Sequence, residues 1–91
     1  MSGWSLYLIR CNKGSLYTGI TTDVERRFKE HQSSSSKSAK YLRGKGPLIL
    51  VFSEEIGNRS QASIAEARVK KLSRAEKNNL IKGSLLLQAI L

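Results

Sequence analysis

Tyr7, Tyr17, Arg27 and His31 are the side chains of this sequence best suited to chemistry. They are two phenols, a guanidinium and an imidazole in a small, strongly basic chain. A guanidinium matches the oxygens of a phosphate, and a phenol or imidazole can position or move a proton. Together they point to chemistry on phosphate. The most informative stretch is Leu16-Tyr17-Thr18-Gly19-Ile20 running into residues 23–31. It reads as a strand that stops at a glycine and becomes a helix.

Helical spacing sorts the polar residues of that helix. Val24 and Phe28 are i and i+4 and mark its buried face. Arg27 is i+3 from Val24, and His31 is i+4 from Arg27, so both lie on or beside the apolar stripe. Arg26 points to the far side. A cation at the core edge needs a partner or a function. Arg27 therefore either pairs with a carboxylate of this chain or faces a phosphate. His31 has a plainer reading as a helix C-terminal cap or dipole partner.

A later helix shows the same anomaly. Ala62, Ala65, Val69 and Leu72 trace its apolar stripe, and Glu66 falls within it. This carboxylate either pairs with Arg27 or a nearby lysine, or it holds a hard divalent cation such as Mg²⁺. In residues 37–45, Lys37, Lys40, Arg43 and Lys45 surround Tyr41, with glycines beside them. Basic residues interleaved with an aromatic suit a nucleic-acid backbone and a stacked base, and a solvated loop is the alternative.

These residues need a frame. Residues 4–11 read as a strand with apolar side chains on both faces, hence a central one. Residues 15–20 form a second strand after a turn at Asn12, Lys13 and Gly14. A three-residue loop with Gly14 in the left-handed region places Tyr17 opposite Ile9 and makes Tyr7 and Tyr17 diagonal neighbours on one face. A two-residue loop puts them on opposite faces. Thr22 or Asp23 caps a helix running to about Gln32. The serine-rich residues 33–36 read as a mobile loop, residues 37–43 as a short helix, and residues 44–47 as its break. Residues 48–53 read as a third strand. Gly57 and Asn58 turn the chain, Ser60 caps a helix to about Leu72, and Ser73 caps another over residues 74–82. Gly83 ends it, and residues 84–91 pack as a last helical turn or fray. The expectation is one α/β domain over residues 1–91, its core in 4–82: a hairpin and a third strand covered by helices.

Composition sets the partner class. The 91 residues suffice for one modest core, and 40% are hydrophobic. Sixteen Lys and Arg against seven Asp and Glu give a formal charge of +9. Such an excess repels itself and attracts polyanions: nucleic acid first, an anionic membrane surface second, with a basic surface kept for solubility as the plain alternative. Cys11 is the single cysteine, so there is no internal disulfide, in keeping with a reducing compartment. It reads as a small buried residue. No segment resembles a signal peptide or a membrane span, and the cytoplasm is the expected location.

Ser5-Leu6-Tyr7, Tyr17-Thr18-Gly19, Arg27 and Glu66, in that order and spacing, resemble the GIY-YIG nuclease superfamily. Residues 16–27 and 42–48 resemble more closely its small stand-alone bacterial UPF0213, or YhbQ-like, group. The resemblance covers residues 4–82. It implies a three-stranded antiparallel sheet flanked by helices, with a site on one sheet face and one divalent metal, Mg²⁺ or Mn²⁺. By position, Tyr7 and Tyr17 match the motif tyrosines, Arg27 the family arginine and Glu66 the metal-binding glutamate. His31 falls where some members carry a polar helper. Ser5, Leu6 and Thr18 depart from the motif, which bears on substrate specificity more than on fold.

The implied activity is hydrolysis of DNA phosphodiesters in repair or processing, with RNA left open and no membrane or small-molecule cofactor involved. A phenol is an awkward base, with an ordinary pKa near 10, so the surrounding cations are expected to lower it. The alternatives are a nucleic-acid-binding module without turnover, and a basic protein-interaction domain that docks through residues 85–91.

Overall fold

A computed structural model describes residues 3–33 and 46–91. Strands β1 (Trp4–Arg10) and β2 (Leu16–Thr21) form a hairpin, followed by helix α1 (Val24–Gln32). Strand β3 (Ile49–Gly57), helices α2 (Arg59–Lys70) and α3 (Arg74–Lys82) and a 3₁₀ turn (Leu87–Ile90) complete the order. The sheet is antiparallel in the order β2-β1-β3. This is the expected α+β frame, with β1 at its centre. Leu6, Leu8 and Ile9 of β1 are fully buried, as a strand covered on both faces requires.

The hairpin has the odd-length loop. The Cys11 N–H bonds to the Ser15 carbonyl and the Gly14 N–H to the Cys11 carbonyl, each at 2.9 Å. Gly14 turns the chain at φ 85°, where a side chain would be strained. Ile9 accordingly pairs with Tyr17, and the two tyrosines share a face.

Strand alternation divides the core. Leu6 and Leu8 face α2, α3 and the 3₁₀ turn, packing with Ala65, Val69, Leu80 and Leu87. Tyr7, Ile9 and Cys11 face the other way, where Tyr17, Leu50 and α1 residues Val24 and Phe28 cover them. Cys11 is buried, as read from the sequence.

Three boundaries differ from the sequence reading. Strand β3 continues past Ser53 to Gly57, because Ser5 and Leu6 pair with Glu55 and Glu54. It is an edge strand, so these glutamates remain exposed. Register shifts at Leu8/Ile9 and Trp4/Ser5 let Val51 and Ile56 join the α2 side of the core, which hides a simple period of two. Helix α2 is capped by Asn58, not Ser60. The Asn58 side chain accepts from the Gln61 N–H, and the Gln61 side chain accepts from the Asn58 N–H. That helix ends at Lys70, and Leu72 packs beyond it. Asp23 and Ser73 cap α1 and α3 as expected. The tail does not fray: Leu87 is buried, and Arg68 Nη1 donates to the Ile90 carbonyl at 3.1 Å. Among the described residues, no helix is long and apolar enough to cross a membrane.

The caps are testable by denaturant titration. Asn58→Ala is expected to destabilise the fold by about 1 kcal/mol, whereas Ser60→Ala is expected to be near neutral. Equal losses in the two variants would return the cap to Ser60.

Candidate active site

The site is built where α1 crosses the tyrosine face of the hairpin. His31, in the last turn of α1, is 1% exposed, and its Nε2 lies 3.0 Å from the Tyr7 hydroxyl. Tyr17 meets the His31 ring edge-on, with centroids 5.6 Å apart at 70°, and stands 6.3 Å from Tyr7. The sequence ranks His31 lowest of the four. In the fold it is no mere cap: it fills the gap between the tyrosines.

Gly19 explains how Tyr7 gets there. Tyr7 pairs with Gly19 across the hairpin, and its ring lies over that position. A Cβ on residue 19 would sit 2.5 Å from Tyr7 Cζ, inside any tolerable contact. The glycine read from sequence as a strand stop is the floor beneath a catalytic candidate.

Arg27 faces inward beside them, and Arg26 is exposed. Arg27 Nη1 donates to Glu30 Oε1 at 2.9 Å, and its charge is near enough to act on the Tyr7 phenol. The carboxylate reading of Arg27 is realised in Glu30, and the side chain stands at the edge of the Tyr7 and His31 cluster. Glu30 is the residue that the sequence reading missed, although its i+3 spacing from Arg27 was visible.

Burial sets the protonation states. It is the main cause that pulls the His31 pKa from 6.5 to about 4, helped by the Arg27 charge and opposed by Glu30. The imidazole is neutral at pH 7. Burial likewise leads in raising the Tyr7 pKa to about 12; Tyr17 and Glu66 add to this, while Arg27 opposes. The expectation that surrounding cations would lower the phenol pKa is thus corrected: desolvation of the phenolate outweighs the guanidinium. For Arg27, burial works against the charge, but the Glu30 carboxylate and the Tyr7 phenol outweigh it and raise its pKa. In the tautomer that leaves Nε2 unprotonated, the neutral imidazole accepts the phenol proton of Tyr7.

Glu66 approaches from α2 and is felt electrostatically by Tyr7. Its ion partner is Lys70, at 3.4 Å one turn along the helix, and not Arg27. Among the described residues, no three His, Cys, Asp or Glu side chains cluster as a metal cage. A single, partly exposed carboxylate nevertheless fits Mg²⁺ or Mn²⁺, which keeps waters and takes phosphate oxygens as its other ligands. Lys37, Lys40, Tyr41, Arg43 and Lys45 lie outside the described residues.

A family model for the GIY-YIG catalytic domain matches residues 3–79. The chain belongs to the GIY-YIG family. Membership places it among nuclease-like proteins and implies a nucleic-acid substrate. It is 54% identical to a UPF0213 protein of Cronobacter sakazakii over 90 residues, 99% of this chain and 93% of that protein. It is 58% identical to the UPF0213 protein YhbQ of Escherichia coli K12 over 81 residues, 89% of this chain and 79% of that one. The solution structure of the UPF0213 protein BH0048 of Bacillus halodurans is similar, with a TM-score of 0.56 and 44% identity over 87% of this chain and 82% of that one. That of the protein EF2693 of E. faecalis gives a TM-score of 0.60 and 38% identity over 92% and 91%.

Two measurements probe the GIY-YIG site without any substrate. The sole histidine can be followed by proton NMR, and its ring resonances are expected to titrate near 4, not 6.5. Between those values the unfolded chain takes up a proton that the native state refuses, so stability rises with pH across this window and levels off above it. A midpoint near 6.5 would show that the imidazole is not buried against Tyr7. Separately, Gly19→Ala is expected to displace the Tyr7 ring and cost about 1–3 kcal/mol in denaturant unfolding. It should also move the His31 midpoint back towards 6.5, and an unchanged midpoint would mean the ring does not cross residue 19.

Proposed function

We propose that the protein hydrolyses DNA phosphodiester bonds with the help of a divalent metal, Mg²⁺ or Mn²⁺, held by Glu66. The observation that carries this reading is a buried phenol hydroxyl 3.0 Å from the Nε2 of a neutral imidazole, within the field of the Arg27 guanidinium. The chain's charge of +9 supplies the attraction for a polyanion.

The high pKa of Tyr7 argues against a standing phenolate at neutral pH. A relay avoids one. The attacking water gives a proton to the Tyr7 oxygen as the phenol proton passes to His31 Nε2. The water oxygen forms the new bond to phosphorus, the ester P–O bond opposite breaks, and the departing alkoxide takes a proton from solvent. The imidazolium is offset by negative charge gained on the phosphate. Arg27 opposes that charge at the phosphate oxygens, with Glu30 fixing its approach. Tyr17 walls the imidazole and keeps water from it. A metal bound at Glu66 would supply further stabilisation of the phosphate charge, and the Lys70 ammonium must give way to admit it.

The test is a cleavage assay on linear, nicked, flapped and branched DNA with Mg²⁺ or Mn²⁺. Glu66→Gln, Arg27→Ala and His31→Ala are each expected to lower the rate by about 10²–10⁴-fold with the fold intact. Full activity in Glu66→Gln and Arg27→Ala would sink the assignment. Salt-sensitive DNA binding with no metal-dependent product would identify a nucleic-acid-binding module without turnover.

A further inference from the structure

A second feature adjoins the site and takes no part in the relay. A cleft of about 330 Å³ opens at the β2 edge of the sheet, lined by Leu16, Tyr17, Thr18, Lys70 and Lys77. Its volume falls at the small end of ligand sites, which span about 300–1,000 Å³. Its walls come from three elements: β2 below, the last residue of α2, and the second turn of α3. Arg74 holds that arrangement by hydrogen-bonding the Gly14 carbonyl, which pins the start of α3 to the hairpin loop. Lys77 lies three residues further along the same helix.

The two lysines are placed differently. Lys77 is half-buried, and among the described residues it makes no ion pair. Its nearest acidic neighbour in sequence, Glu76, is committed to the α3 capping box. The Lys77 stem packs against the fold while its ammonium, with no carboxylate among the described residues to hold it, is left to meet an anion in the cleft. Lys70 is more exposed and is shared: it pairs with Glu66 at 3.4 Å while it lines the cleft. Tyr17 belongs to both the cleft and the His31 cluster, so an anion in the cleft is a neighbour of whatever occupies the site.

We infer that this cleft binds a backbone phosphate of the nucleotide flanking the one attacked, held by Lys77 and Lys70. The inference rests on the proposed nuclease reading for the identity of the anion. It gives Lys70 two partners: drawn to the flanking phosphate, it releases Glu66. Substrate in register would then clear the carboxylate that the metal needs.

The test is binding of a short fluorescent oligodeoxythymidylate, without metal, followed as a function of salt. Lys70→Met and Lys77→Met are each expected to weaken binding several-fold and to lower the slope of log affinity against log salt by roughly 0.7, the value for one contact to a single strand. Lys77→Arg is expected to preserve both. Lys29→Met, which removes an ammonium paired with Glu25 on the outer side of α1, is expected to change neither. Unchanged affinity and slope in both methionine variants, or no binding by the wild-type protein, would overturn the inference. No turnover enters this measurement, so a cleavage-inactive protein can still pass it and an active one can still fail it.

Discussion

The Tyr7 hydroxyl lies 3.0 Å from His31 Nε2, and both groups are almost wholly withdrawn from water. Each property of the site traces to this contact. Withdrawal keeps the imidazole neutral and the phenol protonated while no substrate is present. To make the contact, α1 must pack on the hairpin through Val24 and Phe28, the hairpin must have odd length, and residue 19 must lack a Cβ. The chemistry and this half of the core are one object. Tyr7 counts among the buried residues that hold α1 to the sheet.

The opposite face carries a different burden. Leu6 and Leu8 alternate with Tyr7 and Ile9, and they meet a purely aliphatic layer from α2, α3 and the 3₁₀ turn. That layer can be filled for stability without disturbing a proton path. Glu66 is the one residue this layer lends to the proposed reaction. It sits on α2 beside Ala65 and Val69, and its field reaches Tyr7. The β2 edge is where the two layers approach each other, which is why the cleft, Lys70 and Glu66 gather there.

The legible parts of this fold are those set by local spacing. Loop length fixed the tyrosine face, because strand alternation leaves no third choice. Helix period separated Arg27 from Arg26. What escaped depends on tertiary packing. A histidine near a helix end reads as a cap until one knows that Tyr7 and Tyr17 stand beneath it. Gly19 reads as a strand stop, because nothing in sequence shows a ring lying across it. Asn58 lost to Ser60 because both are good caps, and only the reciprocal bond from Gln61 decides between them. β3 read short because Glu54 and Glu55 look like the end of a strand, whereas an edge position tolerates them.

A last constraint concerns charge. The proposed phosphate path passes two cations, and each is paired with a carboxylate one helical turn away: Arg27 with Glu30, and Lys70 with Glu66. Such pairing keeps long side chains ordered while no substrate is present. Neither pair is fully buried, so water screens the attraction and neither is strong. A phosphate, with more charge and several acceptor oxygens, can compete for both cations. The exchange is not symmetrical in its effect. Glu30 sits in the same helix as Arg27 and orients it, whereas Glu66, once parted from Lys70, would offer a hard oxygen to the proposed metal. In the proposed reaction, the polyanion that the net positive charge attracts would also part Lys70 from Glu66 and so open a place for a metal.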